Sequence, residues 1–308
     1  MVWGKADGFP VLDAVHPFDY REFLLDDRQS SRRSLAMLRI EKPVSANDFL
    51  QGIYIPEKRA DILPHLGDRF AEPWTAELAV ASAAISRTPS NRSSFSFPQG
   101  GFKWEHNGTR LGWTANALDT WATQPYFKLD TATGLVLTKD YRRLLVGSSI
   151  DLQVRQWVVR GEITYLPVVY LSAATASVNY LKYRQTSFVS GADRTVHEWF
   201  LSGQFFQTFS SGESTDPVAG KAQEFVTFLG TRSFSQDRFK VRWFVAGDLT
   251  RIGLWVEPSL SYGMVHNLEI KLAGDFFGGT APSIFEELTS DNRILLGLKY
   301  SFETKPHR

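Results

Sequence analysis

Toward its C-terminal end the chain alternates apolar and polar residues with a period of two. Ile294, Leu296, Leu298, Tyr300 and Phe302 fall on one side, opposite Arg293, Gly297, Lys299 and Ser301, with Leu295 the exception. Before it, Leu268, Ile270, Leu272, Gly274 and Phe276 oppose Glu269, Lys271, Ala273 and Asp275. Leu254, Val256, Pro258, Leu260 and Tyr262 oppose Trp255, Glu257, Ser259 and Ser261, and Phe239, Val241, Trp243 and Val245 oppose Arg238, Lys240, Arg242 and Asp248. Such alternation over about ten residues predicts strands, not helices. Less regular alternation predicts further strands at 222–233, 195–209, 181–192, 156–166, 142–152, 109–119, 101–107, 48–56 and 33–43, with a partial strand at Met1–Gly4. That makes about fourteen in all.

The connections alternate in character. Those near 154–156, 107–109, 44–48 and 235–237 are tight, whereas 5–32, 57–100, 120–141, 167–180, 210–221 and 278–291 are long. Short turns on one side and long loops on the other are the pattern of outer-membrane barrels. The short Leu249–Thr250 connection is the exception. Ten residues tilted near 45° cross roughly 25 Å of hydrocarbon, whereas soluble strands average about 5–6 residues. No apolar run reaches the roughly 20 residues a membrane helix needs. A soluble barrel or sandwich has the same period with the apolar face inward. About fourteen strands, however, enclose a bore too wide for side chains to fill. A one-residue slip would also put Arg238, Lys240 and Arg242 in lipid, each costing roughly 2–4 kcal/mol near the midplane. The expected fold is therefore all-β: an antiparallel transmembrane β-barrel of about 14 visible strands, about 14–18 in the complete protein. It is expected as one barrel over 1–308, with long extracellular loops, of which 5–32 and 57–100 fold into its mouth.

Composition narrows the function classes. Lys plus Arg number 34 and Asp plus Glu 33, a net charge of +1 that offers no footprint for nucleic acid. Cysteine is absent, so disulfides, thiolate metal sites and a cysteine nucleophile are excluded. The 23 Phe, 10 Tyr and 9 Trp supply much apolar surface, yet mean hydropathy is −0.21, because polar residues are interleaved with it.

The polar flanks supply the first candidate site residues, Arg160, Glu162, Lys240, Arg242, Glu257, Glu269, Lys271, Arg293 and Lys299, as charges lining the bore. Rings of charge set which solutes enter a pore, and both signs occur here. Tyr165, Phe209, Phe239, Tyr262, Phe276, Tyr300 and Phe302, near strand ends on the apolar side, are candidates for a membrane-interface girdle. In loop 5–32, Asp7, Asp13, His16, Asp19, Arg21 and Glu22 are candidates for an inward-folded constriction or a hard-cation site. Solvation of an ordinary extracellular loop, or packing into the barrel mouth, is the simpler account of them. The segment from Pro17 to Asp27 reads as a short helix, and 74–85 as a small-residue helix within a plug, a lid or a surface loop. None of the six histidines has metal-ligand spacing, so no metal and no cofactor is expected. A Ser–His hydrolase is a remote alternative: His197 and Ser202 would fall on opposite faces of one strand, and G-x-S-x-G is lacking. No enzyme activity is expected.

Two resemblances sharpen this. The last strand, ending at Phe302 with Tyr300 two before it, resembles the C-terminal signal that barrel-assembly machinery reads, although "ETKPHR" follows. At the other end, "WGKADGFPVLDAVHPFDYREFLLDD" (3–27), "LAMLRIEKPV" (35–44), "FLQGIYIPEKRADILP" (49–64) and "WVVRGEITYLP" (157–167) resemble a porin-like family of bacterial outer-membrane β-barrels of unknown function. In that family an earlier strand and an export signal precede the "WGKADG" motif, so the resemblance implies a truncated product, a misassigned start or a fragment. It also implies a bacterial outer-membrane location, with lipid, the assembly machinery and small solutes as partners. The expected function is passive passage of small solutes, with hydrophobic or aromatic compounds as one class. The rival is a closed, plugged barrel with a structural or partner-docking role.

Overall fold

The computed structural model describes residues 3–6, 9–25, 28–65, 67–71, 97–130, 133, 135–172, 180–212, 222–265 and 267–302. Among these the chain is all-β and antiparallel, with only short helical turns. A four-residue helix α1 (Arg28–Ser31) precedes β1 (Leu38–Pro43), β2 (Asp48–Ile55), β3 (Gln99–Asn107) and β4 (Leu111–Trp121). Next come β5 (Tyr126–Asp130), β6 (Leu135–Lys139), β7 (Arg142–Val154), β8 (Trp157–Ser172), β9 (Tyr180–Val196) and β10 (Trp199–Gly212). The chain continues through β11 (Gln223–Phe234), β12 (Phe239–Asp248), β13 (Gly253–Val265), β14 (Leu268–Gly279), helix α2 (Ile284–Glu287) and β15 (Arg293–Tyr300). Thirteen strands form one sheet in the order β1-β2-β3-β4-β7-β8-β9-β10-β11-β12-β13-β14-β15, while β5 and β6 pair only with each other.

Each neighbour in the sheet is also the next strand in sequence, except where the β5–β6 hairpin is inserted. Turn chemistry explains two of the tight connections. His197 and Glu198 join β9 to β10 with φ of 47° and 69°, and Ser235, Gln236 and Asp237 join β11 to β12 with φ of 52°, 57° and 64°. Left-handed turn residues match the twist of paired strands. The pairing that sets the faces is regular: Phe239↔Tyr262 and Arg242↔Ser259 across β12 and β13, Glu269↔Lys299 and Leu272↔Leu296 across β14 and β15.

The structure departs from the sequence reading in four places. Of the partial strand expected at Met1–Gly4, the described residues Trp3 and Gly4 are not in a strand: Trp3 is buried and Gly4 lies in irregular structure, while 1–2 lie outside the described residues. The β5–β6 hairpin occupies what reads as a featureless loop at 120–141, pinned by Tyr126 against Tyr170 and Tyr180 at 4.7 and 5.0 Å. β8, β9 and β10 run to 16, 17 and 14 residues and so extend into the loops expected at 167–180 and 210–221, taking up 167–172, 180 and 210–212. Pro17–Leu25 is not helical. Phe18 and Asp19 make isolated bridges to Arg32 and Ile62, and Phe23 turns the chain at φ 53° with its ring buried. The proposed helix at 74–85 lies outside the described residues.

The chain divides into two compact units. Unit 1 comprises Met1–Val154, Val159–Ser190 and Phe206–Gln223, and its apolar cluster is Trp3, Leu12, Val15, Ile53, Ile55, Leu118, Leu145 and Leu166. Unit 2 comprises Arg155–Val158, Gly191–Phe205 and Glu224–Arg308. Its buried cluster gathers around α2, where Phe285 packs edge-on to Phe225 at 6.3 Å and within 6.5 Å of Trp255. Ser283 caps that helix by accepting from the Phe285 amide.

Candidate functional site

In both units the two faces of the sheet differ sharply. One face carries large apolar side chains left open: Leu144, Val146 and Ile163 in unit 1, Trp243, Leu260, Leu272 and Phe276 in unit 2, all between 40% and 50% exposed. The other face is polar and covered. It carries Gln51, Thr114, Asn116, Ser149, Glu162, Thr164 and Ser187 in unit 1, and Thr227, Asp248, Ser259 and Asp275 in unit 2, all buried. Side chains alternate faces along a strand, so this division follows from the period-two pattern itself.

The N-terminal segment, residues 3–6 and 9–18 as described, packs on the polar face of unit 1. Its anchor is Glu162 on β8, only 3% exposed. One carboxylate oxygen accepts from the backbone N–H of Lys5 and, at 2.6 Å, of Ala6. The other accepts from Val11 at 2.9 Å and Leu12 at 3.2 Å. Four amides converging on one carboxylate satisfy the charge without a cation, since charge-assisted bonds to backbone N–H are among the stronger ones. Lys5 reaches past them to ion-pair with Asp151 on β7, and Trp3 donates its indole N–H to Gln51 on β2 at 2.8 Å. Two glycines make room: a Cβ on Gly101 would lie 2.5 Å from the Trp3 ring, and one on Gly147 would lie 2.5 Å from a Leu12 methyl. The apolar residues on this otherwise polar face, among them Leu118, Leu145 and Leu166, form the seat for Trp3, Leu12 and Val15.

The described part of loop 5–32 is therefore folded onto the sheet. Among the described residues its acidic side chains do not converge on a shared cation. Asp13 is buried and pairs with Arg32 at 2.7 Å, and Asp19 pairs with Arg21 at 2.6 Å. Glu22 and Arg21 are exposed, and Asp7 lies outside the described residues. Among the described residues no group of three or more His, Asp or Glu is arranged to hold a metal ion. His16 is half-buried, its Nδ1 3.2 Å from the Arg33 carbonyl oxygen. Burial holds it below the usual imidazole range, with the Arg33 hydrogen bond opposing that effect. Burial acts the other way on Asp61, which it raises above the usual carboxylate range although the Phe18 amide donates to it at 2.8 Å.

The candidate charges on the strands fall on the polar face and partly neutralise one another. Arg242 pairs with Glu257 at 2.7 Å, Arg293 with Asp275 at 2.7 Å, and Glu269 sits opposite Lys299. Arg160 is half-buried, whereas Lys240 and Lys271 are exposed. Of the candidate girdle aromatics, Phe209, Phe239, Phe276, Tyr300 and Phe302 are exposed, and Tyr262 is half-buried, stacked on Phe239 at 4.5 Å. Tyr165 is exposed too, but the lengthening of β8 puts it in mid-strand, not near an end. His197 lies in the β9–β10 turn, not on the strand that carries buried Ser202.

The alternation missed the strap and its partners: Trp3, Lys5 and Leu12 from the segment, and Gln51, Asp151 and Arg32 that receive it. The available signal was glycine on the polar flank, Gly101 and Gly147, each marking a close approach.

No protein-family model matches the chain, and no curated protein matches it. Among solved structures, the chain is similar to OmpT, an outer membrane protein of Vibrio cholerae, folded in vitro. The TM-score is 0.44 at 10% identity, over 86% of this chain and 88% of that one. A loop L8 deletion mutant of the same protein gives a TM-score of 0.45 at 9% identity, over 86% and 89% of the two chains.

Proposed function

We propose that this chain is an outer-membrane β-barrel that conducts small solutes passively, with residues 3–6 and 9–18 forming a strap that constricts the passage. The observation that carries the reading is the inverted burial: large apolar side chains are open and polar ones covered, strand after strand. In water each large open side chain forgoes roughly 1.5–3 kcal/mol of burial, and contiguous apolar patches of this kind mark a membrane or partner surface. In hydrocarbon the same face is at rest. The polar face, covered in part and with its charges partly paired, then lines a hydrated path on which Arg160, Glu162, Lys240, Arg242, Glu257, Glu269, Lys271, Arg293 and Lys299 set selectivity. Outer-membrane lipid surrounds the apolar face, and the last strand engages the barrel-assembly machinery. No turnover chemistry is assigned.

A second reading, a closed barrel, is favoured by the packing of Trp3, Leu12 and Val15 into an apolar seat, which resembles a permanent plug. Reconstitution in planar bilayers separates the two. Discrete conductance steps are expected for the native protein, larger ones once the strap is released. A folded, inserted protein that never conducts, with or without the strap, would overturn the channel reading.

A further inference from the structure

On the apolar face of unit 2, cations occur where none is expected. Arg194 on β9 alternates with buried Asp193 and so points away from the polar face. Its guanidinium lies 5.2 Å from the Trp157 ring and donates to Gln156 at 2.6 Å. Arg232 on β11 lies over Phe234 at 4.5 Å and Trp199 at 5.9 Å, with Glu198 on one edge at 2.8 Å. Both arginines lie at the end of the sheet where short turns join the strands. An arginine facing lipid costs about 2–4 kcal/mol at the midplane but only about 0–1 near the interface. Aromatic faces beneath the cations fit the interface as well.

Beside this pair the apolar face has a hollow of about 610 Å³, walled by Trp243, Leu260, Leu272, Phe276 and Ile294. Pro258 and Gly274, which line it, fall between the paired positions Val256↔Phe276 and Ser259↔Ala273, and the lack of a side chain on Gly274 leaves room for the Phe276 ring, 2.7 Å from where a Cβ would lie. Head site and hollow are contiguous. Arg232 is the direct cross-strand partner of Val241, which lines the hollow, and Trp243 meets Trp199, the ring under Arg232, edge-on at 6.4 Å.

We propose that unit 2 binds one anionic phospholipid here, its headgroup phosphate at Arg232 and one acyl chain in the hollow beside Trp243. The chemistry selects this occupant. The guanidinium on its aromatic bed offers donors to a phosphate, with which the exposed carboxylate of Glu198 competes. The hollow is lined mainly by apolar residues, with Arg242 and Ser259 also contributing to its wall, and lies on a face that, on the channel reading above, meets hydrocarbon. Arg194, one strand away from Trp199, adds to the positive field.

The test is lipid retention by the detergent-purified protein after reconstitution into vesicles of phosphatidylglycerol and phosphatidylcholine mixed equally, read by native mass spectrometry. Phosphatidylglycerol is expected to be enriched on the protein. Arg232→Gln should cut that enrichment about fivefold, the worth of one interfacial cation, and leave phosphatidylcholine unchanged. Leu260→Trp, at an exposed position, should fill the hollow and lower retention of both lipids. Inorganic phosphate alone should displace neither. Displacement by inorganic phosphate, or equal retention of both lipids unaffected by Arg232→Gln, would overturn the proposal. Because it rests on the membrane reading, insertion is scored separately: a protein that inserts without lipid preference sinks only the lipid site, whereas one that enters no vesicle sinks both.

Discussion

Glu162→Gln should release the N-terminal strap. The native carboxylate accepts four backbone amides, two on each oxygen. The glutamine amide retains one oxygen, so two of the four donors lose their acceptor and face an NH₂ group instead. Hydrogen bonds to a charged group are worth about 1.5–3 kcal/mol each, so losing two costs the docked strap about 3–6 kcal/mol. The Lys5–Asp151 pair and the burial of Trp3, Leu12 and Val15 remain, so the strap is expected to open locally while the sheet stays intact. Hydrogen exchange at Lys5, Ala6, Val11 and Leu12 reads this directly. Their protection should fall by two orders of magnitude or more, since about 1.4 kcal/mol is a factor of ten. Amides of β4 and β7 should be unchanged, and single-channel conductance should rise. Unchanged protection at all four positions would refute the assignment of Glu162 as the anchor.

Three further outcomes follow from the geometry. Leu260→Arg should cost about 2–4 kcal/mol in a bilayer, whereas Lys240→Ala on the opposite face should stay within about 0.5 kcal/mol; equal tolerance in refolding titrations would reverse the inside–outside assignment. Gly147→Ala puts a Cβ 2.5 Å from a Leu12 methyl and 2.6 Å from the Ile163 carbonyl oxygen, an overpacking worth about 1–3 kcal/mol that the strap relieves more easily than the sheet, and limited proteolysis should then cut within the N-terminal segment faster than in the native protein. Strap docking should weaken in mild acid: released His16 takes up a proton near 6.5 while docked His16 titrates lower, so docking is lost as pH falls from 6.5 toward the folded value and is unaffected above it. Asp61, raised by burial, acts with the opposite sign, taking up its proton in the folded state first. Hydrogen exchange of residues 11–18 at about pH 7.5 and about pH 5.5 measures the balance, and His16→Asn should abolish the weakening assigned to His16.

The strands and their faces were legible because a pleated strand writes its two environments into adjacent residues. Arg242 and Glu257 read as polar-face residues from parity alone, and so did Leu272 and Phe276 as apolar-face ones. The strap was not legible, because its contacts join residues some 150 positions apart, such as Ala6 and Glu162, and no local period records them. The same holds for the β5–β6 hairpin, whose five-residue strands are too short for alternation to stand out. Arg194 and Arg232 break parity, and a broken parity in one sequence looks like noise until the rings beneath the cations are seen.

The most direct test is a single-cysteine scan of β12. The chain has no native cysteine, so each label reports one position. Spin labels at 239–246 in the reconstituted protein should alternate: high collision with oxygen at Phe239, Val241, Trp243 and Val245, high collision with a water-soluble nickel complex at Lys240 and Arg242. The reverse alternation, or a uniform response to the nickel complex along the strand, would contradict the claim that the apolar face meets hydrocarbon.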